Sequence, residues 1–184
     1  MRLSRDASTL LVIDIQKRLA PHIAGHEGLI QRTMALMQAA AIFGIPRLVT
    51  EHCPGQIGAV IEPLRSQFAP DEIFEKTAFG AADHPAFVER VRDTRRRHIV
   101  ITGMEAHVCV LQTALGLQQQ GFRVFVVADA VGSREVRQLD RELAMRRMEQ
   151  AGCVLVTTET VLFEWAQQGT DMRFRDVLSL VKSL

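Results

Sequence analysis

Charge of one sign, long apolar runs, paired cysteines and glycine-rich phosphate loops are all missing from this chain. Lysine and arginine number 22 against 21 aspartate and glutamate, a formal net charge of +1. That balance offers none of the positive surplus with which proteins hold nucleic acid or anionic membranes, so neither is an expected partner. No stretch reaches the about 20 apolar residues of a membrane span. The short apolar run near the N-terminus is broken by Asp14 and lacks a small-residue cleavage site, so it reads as a strand and not as a leader. The three cysteines, Cys53, Cys109 and Cys153, include no Cys-x-x-Cys pair, and a chain of 184 residues needs no bridges to fold. Free thiols in a reducing compartment, the cytoplasm or an organelle matrix, are expected. No G-x-G-x-x-G or P-loop follows any apolar run, which sets nucleotide binding aside.

What is present is an alternation. Apolar segments too short for helices recur at 9–14, 46–51, 73–76, 98–103, 123–129 and 153–157. Several are continuous and β-branched, as in strands buried on both faces of a parallel sheet. Between and after them, helical spacing runs over 27–43, 59–67, 83–95, 110–120, 135–151, 159–168 and 173–182. Gly44, Gly121 and Gly152 stand where helices should stop before the next strand. Strict alternation predicts an α/β fold, a three-layer α/β/α sandwich with a Rossmann-like doubly wound sheet of six mostly parallel strands. With no linker and no repeat, residues 1–184 form one expected domain. The arginine-rich stretch 90–97 reads as a solvated helix end that complements the helix dipole.

In open α/β sheets ligands bind beyond the carboxyl ends of the strands, where the strand order reverses. Three strand ends carry reactive groups there. The first ends in Asp14, with Gln16 beyond it; the third ends in Lys76, with Phe79 beyond it; the fourth runs through Gly103 and Glu105 to Cys109. A thiol at a helix start feels unpaired N–H groups and the positive dipole end, which favour thiolate, and a nearby Lys76 would add to this. Asp14 could accept the thiol proton and return it to a leaving group. Taken alone, Cys109 could equally be an inert buried thiol.

At these residues the sequence resembles a known family. Asp14-Ile15-Gln16, Glu75-Lys76-Thr77-Ala78-Phe79 and the run from Gly103 to Cys109 are similar to the three signatures of the isochorismatase-like cysteine hydrolases. The likeness continues through Gly121 to Asp129 and into Ser133-Arg134, and covers nearly the whole chain. Within the family it looks closest to short isochorismatase domain-containing proteins of unassigned substrate. The resemblance implies a catalytic triad of Asp14, Lys76 and Cys109, with Cys109 attacking a carbonyl to form an acyl-enzyme. It also implies a cis peptide joining Met104 to Glu105, which would aim the Glu105 N–H, with that of Cys109, at the developing oxyanion. It implies a homo-oligomer as well.

Two departures narrow the expectation. The metal-binding Asp-x-His pattern of nicotinamidase relatives is replaced here by Glu51-His52-Cys53-Pro54-Gly55, and no histidine follows until His84. No metal and no cofactor are therefore expected. Isochorismatases proper lack the cysteine, so Cys109 speaks against isochorismate as substrate. The expected activity is metal-independent hydrolysis of a C–N bond in a small amide, an uncharged or modestly polar substrate being the one that suits the near-neutral chain. Gln16, Phe79, His107 and His52 are expected to bind substrate. His107 could instead act as a base or cap backbone groups, and Ser133-Arg134 could touch substrate or a neighbouring subunit. Cys153 is expected in the core, and Trp165 in packing or a subunit contact. Two other readings stay open: a non-catalytic binding or oligomeric interaction protein, and a redox-active one with Cys53 resolving Cys109.

Overall fold

The computed structural model describes residues 2–184. Six strands, β1 (Ser8–Ile13), β2 (Arg47–His52), β3 (Ile73–Lys76), β4 (His98–Met104), β5 (Arg123–Gly132) and β6 (Val154–Val156), make one sheet. Their order is β3-β2-β1-β4-β5-β6, and every neighbouring pair is parallel. The chain winds outward from β1 in one direction, then restarts at β4 and winds in the other. The order thus reverses between β1 and β4, which fixes where a crevice opens at the strands' carboxyl ends.

All six residues of β1 are buried, as the continuous apolar run requires of a strand covered on both faces. Alternate side chains supply two cores. Leu10 and Val12 pack with α1 (His26–Phe43), α6 (Thr158–Ala166) and α7 (Phe174–Lys182). Leu11 and Ile13 pack with α3 (Pro85–Asp93), α4 (Leu111–Gln119) and α5 (Gln138–Gln150). Trp165 on α6 is wholly buried and its Nε1 donates to Ser8 Oγ at 3.0 Å, so it packs in the core and not at a subunit contact. Cys153 is buried as expected. At the arginine-rich helix end, Arg90 donates to the carbonyls of Asp71 and Ile73, and Arg92 pairs with Glu89 on an exposed face.

One helix prediction fails in an instructive way. The segment 59–67 is not helical. Instead α2 (Pro54–Ile57) comes earlier, Val60 forms an antiparallel bridge with Gln16, and only a short 3-10 turn covers Arg65–Gln67. Pro63 stands inside the expected helix, where it can donate no hydrogen bond. Buried Glu51 also claims the segment, because its Oε1 accepts from Val60 N at 2.9 Å and Arg65 Nη1 at 2.7 Å. The helix expected over 110–120 is present as α4, and the chain enters it through a π-helical turn (Ala106–Val110).

Strand β5 runs three residues further than expected, because its pairing with β4 slips. Ile101 faces Val126, yet Gly103 faces Val131 and Met104 faces Gly132. The extra residues bulge out, and pairing resumes in time to bring the chain after Gly132 beside the chain after Met104. Gly103 has φ +127°, and a Cβ there would sit 2.1 Å from the Ile13 carbonyl oxygen. Only glycine lets β1 and β4 approach so closely at the switch point.

Candidate active site

Asp14 follows the last residue of β1 with φ +51°, a left-handed conformation that aspartate tolerates better than most side chains. The turn carries the carboxylate into the crevice and lets Gln16 N donate back to Asp14 O at 2.8 Å. Thr50 Oγ1 on β2 donates to Asp14 Oδ1 at 2.6 Å.

Lys76 ends β3, two strands from β1 and so roughly 10 Å away at the usual strand spacing. Only a long side chain spans that gap. Its Nζ crosses the end of β2 to reach Asp14 Oδ2 at 2.7 Å, and neither side chain is exposed to solvent. The remaining donors go to Phe79 O at 3.0 Å and Ala78 O at 3.3 Å. The buried ammonium is therefore fully partnered, as its three donors require.

Cys109 lies in the π-helical turn and is 6% exposed. Asp14 and Lys76 both act on its thiol at close range, so the three groups expected to converge do so. The direction of its acidity differs from the expectation. Burial pushes the thiol pKa well up, the Asp14 charge pushes it further, and Lys76 only partly opposes them. The helix start and the lysine do not make a resting thiolate, because the low-dielectric surroundings penalise the charged form more. Burial and Asp14 together favour the protonated thiol over the thiolate.

The chain matches the Isochorismatase domain family over residues 8–160. It belongs to the isochorismatase family. Among solved structures in the family's neighbourhood, it is similar to the MAR1 ribonuclease of Caenorhabditis elegans, at 34% identity and TM-score 0.91, covering 99% of this chain and 93% of that one. It is also similar to the YcaC gene product of Escherichia coli, described as an octameric hydrolase of unknown specificity, at 27% identity and TM-score 0.91, covering 99% and 90%. A third is YcaC from Pseudomonas aeruginosa, solved with hexane-2,5-diol and covalent acrylamide, at 25% identity and TM-score 0.90, covering 97% and 91%.

Around the isochorismatase-family centre, the other expected residues divide. Gln16 is not a pocket wall. It is wholly buried, its Nε2 donating to the carbonyls of His52 and Gly58 while its Oε1 accepts from His52 N at 2.8 Å. The return of the chain at 58–60 covers it, so it ties the end of β2 to that loop. Phe79 is half exposed and stacks on His52, ring centroids 5.0 Å apart. His52 Nδ1 is buried without a hydrogen-bond partner. His107 is half-buried and its Nδ1 lies 3.0 Å from Ser133 Oγ. The Met104–Glu105 peptide is cis. Glu105 is buried and accepts through Oε2 from Arg134 Nε at 2.9 Å and Arg134 N at 3.1 Å.

Two residues of the centre carried no clear sequence signal. Thr50 is a polar residue inside β2, recognisable only once Ile13 is known to pair with it in register. Arg134 was visible in a family-like loop, but its link to Glu105 depends on the bulge in β5. Among the described residues no group of three His, Cys, Asp or Glu side chains is arranged to hold a metal ion, and no helix is long and apolar enough to cross a membrane.

Proposed function

We propose that this isochorismatase-family hydrolase cleaves a C–N bond of a small amide through a cysteine acyl-enzyme, without a metal. The observation that carries the reading is the buried Cys109 thiol held against the Asp14 carboxylate, itself paired with Lys76. A raised thiol pKa suits this chemistry, since the proton leaves only when a substrate carbonyl is in position to be attacked. The covalent acrylamide of the Pseudomonas aeruginosa homologue fits a nucleophilic side chain in this fold.

As Cys109 Sγ bonds to the carbonyl carbon, its proton passes to Asp14 and the C=O π pair moves onto oxygen. The N–H groups of Glu105 and Cys109 receive that oxyanion. When the tetrahedral intermediate collapses, the C–N bond breaks and Asp14 gives its proton to the leaving nitrogen. Water then attacks the thioester while Asp14 takes one of its protons; as the C–S bond breaks to release the acid, Asp14 returns that proton to the sulfur and the thiol is restored. Lys76 holds the Asp14 carboxyl in place through these proton transfers. His52, Phe79 and His107 wall the approach.

The active form is a homo-oligomer in this proposal. Val136, in the turn before α5, and Leu139 and Leu143 at the start of α5 are exposed apolar side chains, and the Escherichia coli homologue is described as octameric. A cytoplasmic setting suits the three free thiols.

The test is a panel of small amides, with ammonia or amine release measured for wild type and Cys109→Ala. Release by the wild type that falls at least about a thousandfold in the variant supports the reading; equal release by both refutes it. The worm homologue is described as a ribonuclease, so RNA belongs in the same panel. RNA cleavage that survives Cys109→Ala while no amide is turned over would point to that chemistry instead.

A further inference from the structure

The loop after β5 grips the turn that carries Cys109 at two points. Arg134 donates twice to one oxygen of Glu105, from Nε at 2.9 Å and from its backbone N at 3.1 Å. Its neighbour Ser133, wholly buried, meets His107 Nδ1 at 3.0 Å. The loop is itself held from behind, because Ser133 O accepts from Ala24 N at 3.1 Å and Arg134 bridges to Ile23. At the other end of Glu105, its carbonyl accepts from Val108 N at 3.1 Å and Val110 N at 3.2 Å. A residue with both carboxylate and carbonyl pinned has little freedom left for its own N–H direction. That N–H is one of the two assigned above to the oxyanion.

We infer that Arg134 is a positioning residue, which locks Glu105 through its carboxylate so that the Glu105 N–H is aimed at the oxygen of the reacting carbonyl. The inference rests on the acyl-enzyme reading and deepens it. Several features fit the role better than general stabilisation. Glu105 is nearly buried while Arg134 is 43% exposed, so the pair is anchored at the acid and adjustable at the base. A preorganised donor contributes only if it is held to within about 0.5 Å of the productive geometry. The loop reaches Glu105 because the β5 bulge brings Gly132 opposite Met104. A Cβ on Gly132 would meet Ile23 Cγ2 at 2.6 Å, so the approach of this loop to residues 23–24 is close and leaves little play.

Two small electrophiles separate oxyanion stabilisation from thiol reactivity. In acrylamide, Cys109 Sγ bonds to the terminal carbon and the C=C pair moves toward the carbonyl, whose oxygen takes on negative charge. The thiol proton, carried by Asp14, then ends on the α-carbon. In iodoacetamide, the same sulfur displaces iodide at a saturated carbon, iodide leaves with the bonding pair, and no charge develops on the carbonyl oxygen. Both amides are of similar size. The acidity of the thiol is set by burial, Asp14 and Lys76, with Arg134 not among its causes.

The experiment measures second-order labelling rates of Cys109 by intact-mass spectrometry in wild type, Arg134→Gln and Arg134→Lys, with Cys109→Ala giving the background from the other thiols. The expected result is an acrylamide rate reduced roughly tenfold or more in Arg134→Gln while the iodoacetamide rate and its pH profile hold. Arg134→Lys keeps a cation and the backbone donor, and should lie between the two. An acrylamide-to-iodoacetamide ratio that is unchanged in both variants overturns the inference and leaves the acyl-enzyme reading intact. A wild-type Cys109 that neither reagent labels overturns the reading and the inference together.

Discussion

Lys76 and Asp14 form an ion pair of 2.7 Å with neither side chain exposed, spanning the end of an intervening strand. Breaking such a pair from one side leaves a buried charge without its partner, at a typical cost of about 3–5 kcal/mol. Lys76→Met should therefore lower the urea midpoint well beyond what loss of a surface lysine would do. Adding Asp14→Asn to that variant should restore part of the loss, because the uncompensated charge is gone. Denaturation of the two single variants and the double variant checks both statements.

The acidity of Cys109 makes a prediction whose sign separates its two neighbours. The carboxylate of Asp14 raises the thiol pKa and the ammonium of Lys76 lowers it. Iodoacetamide labelling of wild-type Cys109 should rise only at pH values above the ordinary thiol range of about 8.5. Asp14→Asn should move the labelling midpoint to lower pH, yet abolish amide turnover because the proton acceptor is lost. Lys76→Met should move it to higher pH. A midpoint near the ordinary value in all three proteins would contradict the arrangement.

Alkaline pH should weaken the fold through the buried thiols. Burial raises Cys153 to about 11 from an ordinary 9.0. In the unfolded chain this thiol ionises first, so the unfolded state releases protons while the folded state still holds them, and stability falls as pH climbs through that window. Cys153→Ala should flatten the decline between about pH 9 and 11, as read from urea midpoints across the range.

Gly103→Ala should be a folding variant. The added methyl would stand 2.1 Å from the Ile13 carbonyl oxygen, at a residue with φ +127°. Backbone cannot give way there without separating β1 from β4, the two central strands. A loss of at least about 3 kcal/mol, or insoluble expression, is expected, measured by soluble yield and thermal midpoint.

Leu139→Glu and Leu143→Glu test the exposed apolar side chains on α5. Both side chains are exposed in the single chain, at 68% and 48%. Light scattering after gel filtration should show a smaller species for the double variant than for wild type. Unaltered mass would remove this face from the interface.

Much of this molecule is legible in its sequence. Strands such as β1 are continuous apolar runs because both faces are covered, and that pattern is local. Asp14, Lys76 and Cys109 stand out because each reactive residue ends or follows such a run. What escaped depends on contacts between distant segments. The false helix at 59–67 follows from Glu51, which holds Val60 and Arg65 from another strand; Pro63 was the one local warning. Gln16 was expected to face substrate, and whether it does is decided by where residues 58–60 return. The thiol's acidity departs from the expectation because a helix start and a lysine are visible in a sequence, whereas depth of burial is not. Arg134 could be seen but not assigned, since three bulged residues in β5 determine what it faces.

Trp165, bonded through Nε1 to Ser8 Oγ, is the chain's one tryptophan, and there is no tyrosine. Intrinsic fluorescence therefore comes almost wholly from a single ring, seated where α6 meets the first residue of β1. Cys109 touches Asp14, just past the far end of the same strand. Emission and alkylation are thus two clocks set at opposite ends of one central strand. Run side by side during refolding, they time the closing of the helical layer separately from the assembly of the crevice.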